Sequence, residues 1–266
     1  MTEIPDGPDG FRAVPIPHLA RRGSWRVEAM RAMSRARLLW FTKGQGRITI
    51  SGVTRGYGPN NVVFLPPRTM HGFEINPRVF GTSIDFPLNF DGRFLEDPVH
   101  LRLRDVSAQA ELATLVDRFQ AELSADRPLR DRALAAHAEL ILTWLERMAG
   151  GEADDPVSVG SARRLAIAYA ALVERDYVAD KSIADFAAEL GVTPTHLSRA
   201  CRAAGGRSAH KVLSDRVMAE ARRLLADTNL PVNNVAGRLG FSSPAYFTRA
   251  FQRRTGLTPT AFRQSA

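Results

Sequence analysis

The chain says nearly the same thing twice. Residues 183–201, IADFAAELGVTPTHLSRAC, return in altered form as VNNVAGRLGFSSPAYFTRAF over residues 232–251. Ile183, Ala187, Leu190, Gly191 and Thr193 match Val232, Ala236, Leu239, Gly240 and Ser242 at an offset of 49; after one inserted residue, Leu197, Arg199, Ala200 and Cys201 match Phe247, Arg249, Ala250 and Phe251 at an offset of 50. An internal duplication implies two copies of one supersecondary unit, and it restricts the fold more than composition does.

Each unit reads as a short helix, a glycine and a second helix. Gly191 and Gly240 fall just past the last apolar position, where a left-handed C-terminal cap is wanted. Ala187 and Ala236 are small where the two helices cross. Ser182 with Asp185 makes a capping box, and Thr193-Pro194 is an N-cap followed by proline in the first turn. This is helix-turn-helix geometry. The second helix of each unit carries two stripes. Leu197, Ala200 and Cys201 face inward in one, and Phe247, Ala250 and Phe251 in the other. The opposite edges present Thr195, His196, Ser198, Arg199 and Arg202, and then Ala245, Tyr246, Thr248, Arg249, Gln252 and Arg253. Hydroxyls and guanidiniums on a helix suit the width and hydrogen-bonding groups of a DNA major groove. The competing reading is an ordinary solvated helix face, and duplication weighs against it.

Charge points the same way. Residues 1–160 hold 20 Lys/Arg and 20 Asp/Glu, whereas residues 161–266 hold 16 and 8, so the whole net charge of +8 lies in the part that contains the repeat. A basic module beside a neutral one implies a polyanion partner for one of them. Between the units, residues 211–226 read as an unbroken helix on the order of 24 Å long. With its flanks it spaces the two edges by about one duplex turn, ~34 Å.

The paired segments, with the pattern GF…YF.RAF…G.TP..FR, resemble the DNA-binding domain of AraC-type (AraC/XylS) transcription regulators over roughly residues 161–264. The resemblance implies that Thr195, Ser198 and Arg199, and Ala245, Tyr246, Thr248 and Arg249, touch bases or backbone. This chain departs from the usual pattern at Pro231, Val212 and Cys201. In that family the partner domain is often a cupin-like barrel that binds an effector, and FLPPRTMHGF resembles part of the cupin pattern.

The N-terminal part supports a β reading independently. Runs LLWF, RITI and VVFLPP are separated by turn signals, and Lys43-Gly44-Gln45-Gly46 suits a hairpin. Two helical stripes follow: Leu112, Leu115, Val116, Phe119 and Leu123, then Leu134, Ala138, Ile141, Leu145 and Met148. They form an antiparallel pair that packs on the barrel or continues across a dimer partner. The fold expected is therefore two-domain α+β. It comprises a flexible arm (1–22), a cupin-like effector-binding and dimerisation barrel with its helix pair (23–149), a linker (150–160) and a double helix-turn-helix domain (161–266).

The six histidines are scattered, so no metal and no other cofactor is expected. Trp40, Phe64, Arg68, His71 and Phe73 are the candidate effector contacts, and the basic residues Arg35, Arg37 and Arg68 suit an acidic ligand. The expected partners are double-stranded DNA, a small-molecule effector, RNA polymerase if the chain is an activator, and a second copy in a homodimer. No apolar run approaches the ~18 residues of a membrane span. The N-terminus MTEIPDGPDGF lacks signal-peptide features. A single cysteine fits a reducing compartment, so the expected location is cytoplasmic. The alternatives are a nucleoid-type binder without sequence preference, and an enzyme. The enzyme reading fails for want of metal ligands and because Cys201 lies on an apolar stripe.

Overall fold

A computed structural model describes residues 10–151, 160–178 and 181–265. The described N-terminal strands are β1 (Arg12–Pro15), β2 (Arg37–Lys43), β3 (Gly46–Ile50), β4 (Val53–Tyr57), β5 (Asn61–Leu65), β6 (His71–Phe73), β7 (Phe80–Asp85) and β8 (Val99–Arg102), with a one-turn helix α1 (Trp25–Glu28) after β1. They form a five-stranded sheet in the order β1-β7-β2-β5-β8 and a three-stranded sheet in the order β4-β3-β6.

Side chains alternate across a strand, so each residue's parity decides what it packs against. Leu39, Phe41, Val63 and Leu65 turn inward and meet Ile48, Tyr57 and Phe73 of the smaller sheet. Leu38, Val62, Phe64 and Ile84 turn outward, where α2 (Val106–Ser124) and α3 (Arg130–Gly151) cover them. Both helical stripes read from the sequence enter that outer core: Leu112, Val116, Phe119, Leu134, Ala138, Ile141 and Leu145 are buried, with Leu115, Leu123 and Met148 at its margin. Their apolar faces are thus satisfied within the chain, which leaves no such stripe for a dimer partner.

Several sequence readings are corrected. Lys43–Gly46 is not a hairpin, because β2 and β3 belong to different sheets and the segment turns the corner between them. The real hairpin joins β3 to β4 through Ser51 and Gly52, both at positive φ (47° and 78°), with Ile50 opposite Val53. This is the backbone a two-residue primed turn needs. Strand β4 lies within SGVTRGYGPNN, the glycine- and asparagine-rich stretch between RITI and VVFLPP whose composition signals a turn. The described part of the expected arm is structured, since β1 pairs with β7 and Ile16 is fully buried. Residues 1–9, and 152–159 of the expected linker, lie outside the described residues, while Gly150 and Gly151 end α3.

The C-terminal domain consists of α4 (Ser161–Asp176), α5 (Ile183–Glu189), α6 (Pro194–Gly205), α7 (Ala209–Asp227), α8 (Val232–Arg238), α9 (Pro244–Thr255) and α10 (Pro259–Ser265). α5 and α6 pack with α4 around Tyr169 and Phe186, and the Tyr169 hydroxyl donates to Ala209 O at 2.9 Å. α8, α9 and α10 pack around Phe247, Phe251 and Phe262. The shared helix α7 contributes Val212 to the first core and Leu224 and Leu225 to the second. At 19 residues it is about 28 Å long.

The barrel side touches both units. Met30 and Met70 complete the first unit's core, and Thr54 Oγ1 donates to Gly205 O at 3.2 Å. Trp25 meets Phe262 edge-on at 5.4 Å, beside an Arg26–Asp227 ion pair at 2.9 Å. The closest approach is at Gly205, where a Cβ would lie 2.3 Å from the Gly52 carbonyl oxygen. An alanine inside a helix ordinarily stabilises by roughly 0.5–1 kcal/mol. Here the overpacking against backbone reverses the sign, so Gly205→Ala is expected to destabilise the full chain by about 1–3 kcal/mol. Thermal unfolding measures this, and an unchanged or raised Tm would contradict the tight seam.

Candidate nucleic-acid interface

The repeat produces two units with the same local chemistry. α5 begins with the expected capping box, in which Ser182 Oγ accepts from Asp185 N and the Asp185 carboxylate accepts from Ser182 N. α6 begins at Thr193, whose hydroxyl accepts from His196 N at 3.2 Å. α9 begins at Ser243, which accepts from Tyr246 N at 3.2 Å. The structural counterpart of Thr193 is therefore Ser243 and not Ser242, so the inserted residue precedes the cap. α8 starts at Pro231 with no side-chain cap. Gly191, Gly240, Gly206 and Gly256 all adopt positive φ, between 67° and 79°, and end the four helices of the two units. Glycine takes that conformation without the steric cost a Cβ imposes.

Inward burial decides which edge remains available. Leu197, Phe247 and Phe251 are fully buried, and Ala200 and Cys201 nearly so. Burial pushes the Cys201 thiol up to about 11, so it stays protonated and unreactive at neutral pH. Ala250 is only half-buried. On the opposite edges Thr195, His196, Arg199, Arg202, Ala245, Tyr246, Arg249 and Arg253 are exposed, and Ser198 and Thr248 are half-buried. The Tyr246 ring is 51% exposed and leans on Phe241 at 5.8 Å.

Several cations of the domain are engaged: Arg175 and Lys181 with Asp176 and Glu189, Arg216 with Glu174, and Arg223 with Glu220, whereas Arg163, Arg222 and Arg238 join no ion pair among the described residues. Among the described residues, Arg199, Arg202, Arg249 and Arg253 join no ion pair. Four guanidiniums stand free on two matched edges. One group missed in the sequence is Asp215 of α7, only 8% exposed at its side chain, which takes Arg207 at 3.1 Å, Lys211 at 2.7 Å and Arg254 from the end of α9. The Lys211–Asp215 pair was visible at i,i+4 spacing, whereas the tie to Arg254 depends on tertiary structure.

The proposed effector contacts are not brought together. Trp40 and Phe64 pack on the outer, helix-covered face. Arg68 is exposed in a turn at φ 61°. Only His71 and Phe73 face the inner layer. His71 is 2% exposed, and burial followed by the charge of Arg31 lowers its pKa to about 3, so the ring is neutral. Its Nδ1 lies 2.8 Å from Thr69 O and donates to it, which leaves Nε2 an acceptor with no partner among the described residues. Beside it Arg37 Nε and Nη2 donate to Asp85 at 2.5 and 2.9 Å, both residues being buried. Among the described residues no group of three potential metal ligands occurs.

Comparison with known proteins agrees with the helical geometry. Residues 186–265 match the family model described as "Helix-turn-helix domain". The chain is 32% identical over 92 residues to the HTH-type transcriptional regulator ExsA of Pseudomonas aeruginosa, covering 35% of this chain and 33% of that one. It is 33% identical over 90 residues to the arabinose operon regulatory protein of Escherichia coli, covering 33% and 31%. The chain thus spans about a third of the length of these relatives. A ToxT structure from Vibrio cholerae aligns over 97% of this chain and 99% of that one, at 12% identity and TM-score 0.43. The AraC-type resemblance read from the sequence falls on the segment that the helix-turn-helix model matches, residues 186–265. Among the described residues no helix is long and apolar enough to cross a membrane.

The buried Arg37–Asp85 pair gives a test of the barrel's frame. Burial raises the Asp85 pKa, but the charge and hydrogen bonds of Arg37 outweigh it, leaving the carboxyl below its ordinary range. A depressed folded pKa stabilises above the unfolded value of ~3.9 and ceases to do so as pH falls through the folded value. Asp85→Asn is expected to cost about 3–5 kcal/mol at pH 7, because Arg37 is left buried without its counter-charge. The penalty should shrink in urea melts taken progressively below about pH 4. A cost unchanged between neutral and acid pH would contradict the ion-pair account.

Proposed function

We propose that the chain is a sequence-specific regulator of transcription that binds double-stranded DNA through α6 and α9 and is controlled by a small-molecule effector. The observation that carries this reading is the pair of matched exposed edges that present Arg199, Arg202, Arg249 and Arg253, none of them in an ion pair among the described residues. Guanidiniums grip guanine edges or phosphates, and hydroxyls accept or donate to either. Two such helices on the single rod α7 enter successive major grooves on one face of the duplex.

Effector control is supported by the division of labour in the chain. A barrel is fastened to both units, so a ligand that favours one arrangement of the barrel shifts the population of DNA-competent geometry. The location that goes with this reading is the cytoplasm. RNA polymerase is a further partner if the chain activates. A homodimer would need a surface other than the α2–α3 stripes.

The test is fluorescence anisotropy on a duplex selected by the protein from a random pool. Arg199→Ala and Arg249→Ala should each weaken binding by about 1–3 kcal/mol and relax sequence preference at separate positions. The affinity should also fall linearly with salt on a log–log plot, with a slope set by the number of phosphates neutralised. Wild-type affinity in both variants would overturn the assignment of the edges. Equal affinity for selected and random duplex at about 150 mM salt would favour a nucleoid-type binder.

A further inference from the structure

The two units match in backbone but not in the size of what they bury. Val192 N donates to Ala187 O as Phe241 N does to Ala236 O, and Val212 N donates to Ser208 O as Phe262 N does to Thr258 O, so these positions are structural equivalents. Leu197 and Cys201 likewise correspond to Phe247 and Phe251. Four phenylalanines of the second unit thus stand where the first has Val192, Leu197, Cys201 and Val212. One exchange runs the other way, Phe186 against Val235. In the second unit Phe241, Phe247, Phe251 and Phe262 form a continuous row, with ring centres 5.1, 5.7 and 5.4 Å apart.

Protein interiors are close-packed, so the volume missing beside α6 is filled from elsewhere. Tyr169 of α4 supplies part of it and meets Phe186 edge-on at 5.6 Å. The rest comes from the barrel side. Met30, just after α1, and Met70, just before β6, are each 2% exposed and belong to the first unit's core. Methionine is unbranched and polarisable, and it fits irregular gaps of this kind. The barrel backbone holds the two together: Arg31 and His71 exchange main-chain hydrogen bonds at 2.9 and 2.7 Å, and Met70 O accepts from Ser51 N at 2.8 Å. The barrel's contribution to the second unit is of another kind. Trp25 lies partly buried at the margin of that core against Phe262, and the phenylalanine row closes without it.

We propose that Met30 and Met70 are positioning residues for the first recognition helix, so that the barrel gates α6 by completing the core behind it while α9 stands on a core of its own. Undocking of the barrel withdraws both side chains and opens Leu197 and Cys201 to water. α6 then loses the packing that fixes its rotation, and the second unit keeps its own. The barrel's seat thereby controls one half of the DNA contact. The step to DNA rests on the regulator reading above; the completion of the core does not.

The experiment is hydrogen exchange of the full chain, read by mass spectrometry on peptides from α5–α6 and from α8–α9. In the double variant Met30→Ala, Met70→Ala the α5–α6 amides should exchange about tenfold faster or more, with α8–α9 within about twofold of wild type. The leucine pair Met30→Leu, Met70→Leu is of similar volume and should keep wild-type protection in α5–α6. Trp25→Ala should leave α8–α9 protected. Equal acceleration in both units, or none in either, overturns the core assignment. Should the alanine variant not fold, the wild-type chain in sub-denaturing urea decides. Its α5–α6 amides should lose protection together with those of β3–β4 and apart from α8–α9; opening in step with α8–α9 instead overturns the assignment. Guanine-N7 methylation protection on a duplex selected by the wild-type chain then tests the gate. The alanine variant should lose the patch that depends on Arg199 and keep the patch that depends on Arg249. Loss of both alike overturns the gate and leaves the core assignment standing. A wild-type chain that protects no DNA overturns the regulator reading, while the core assignment is judged on exchange alone.

Discussion

The inward burial of one stripe on each recognition helix is the interaction on which the rest depends. Phe251 packs against Phe247 and Phe262 at 5.7 and 5.4 Å between ring centres, and Leu197 and Cys201 enter the corresponding place in the first unit. Burying a large apolar side chain is worth about 1.5–3 kcal/mol, far more than an exposed arginine gains from any orientation. The apolar side therefore fixes each helix's rotation, and the polar side goes where that rotation leaves it. Free guanidiniums at Arg199 and Arg249 are a consequence of packing behind them.

The second constraint is that the two units are joined in two ways. α7 links them covalently and through the Asp215 ion pairs, while the barrel grips one at Gly205 and the other at Phe262. A change in the barrel's seat thus alters the relation between two edges without touching either. This arrangement leaves both helix edges exposed while the barrel's contacts fall at Gly205 and Phe262.

Much of the C-terminal domain was legible because its signals are local. A glycine at positive φ, a Thr-Pro or Ser-Pro helix start and a capping box each act within a few residues, and the duplication repeats the first two, though not the capping box, in the second unit. The insertion between the units was misplaced by one residue because Ser242 and Ser243 are chemically alike, and only the hydrogen bond to Tyr246 N distinguishes them. The barrel was less legible because strand parity depends on register. Trp40 and Phe64 look like pocket walls in sequence, yet the pairing of Leu38 with Phe64, and of Leu39 with Val63, sends them to the helix-covered side. Lys43–Gly46 has hairpin composition, but whether a turn joins neighbours or changes sheets depends on distant partners. Arg207 and Arg254 meet at Asp215 only through the tertiary packing of the C-terminal domain, and no local pattern announces that.

The most direct test of the central claim is guanine-N7 methylation protection on a duplex selected by the full chain. Two helices held on one rod should protect two major-groove patches about 10–10.5 base pairs apart on the same face. Arg199→Ala should remove one patch and Arg249→Ala the other. A single protected patch that responds alike to both substitutions, or protection spread evenly along the duplex, would contradict the account.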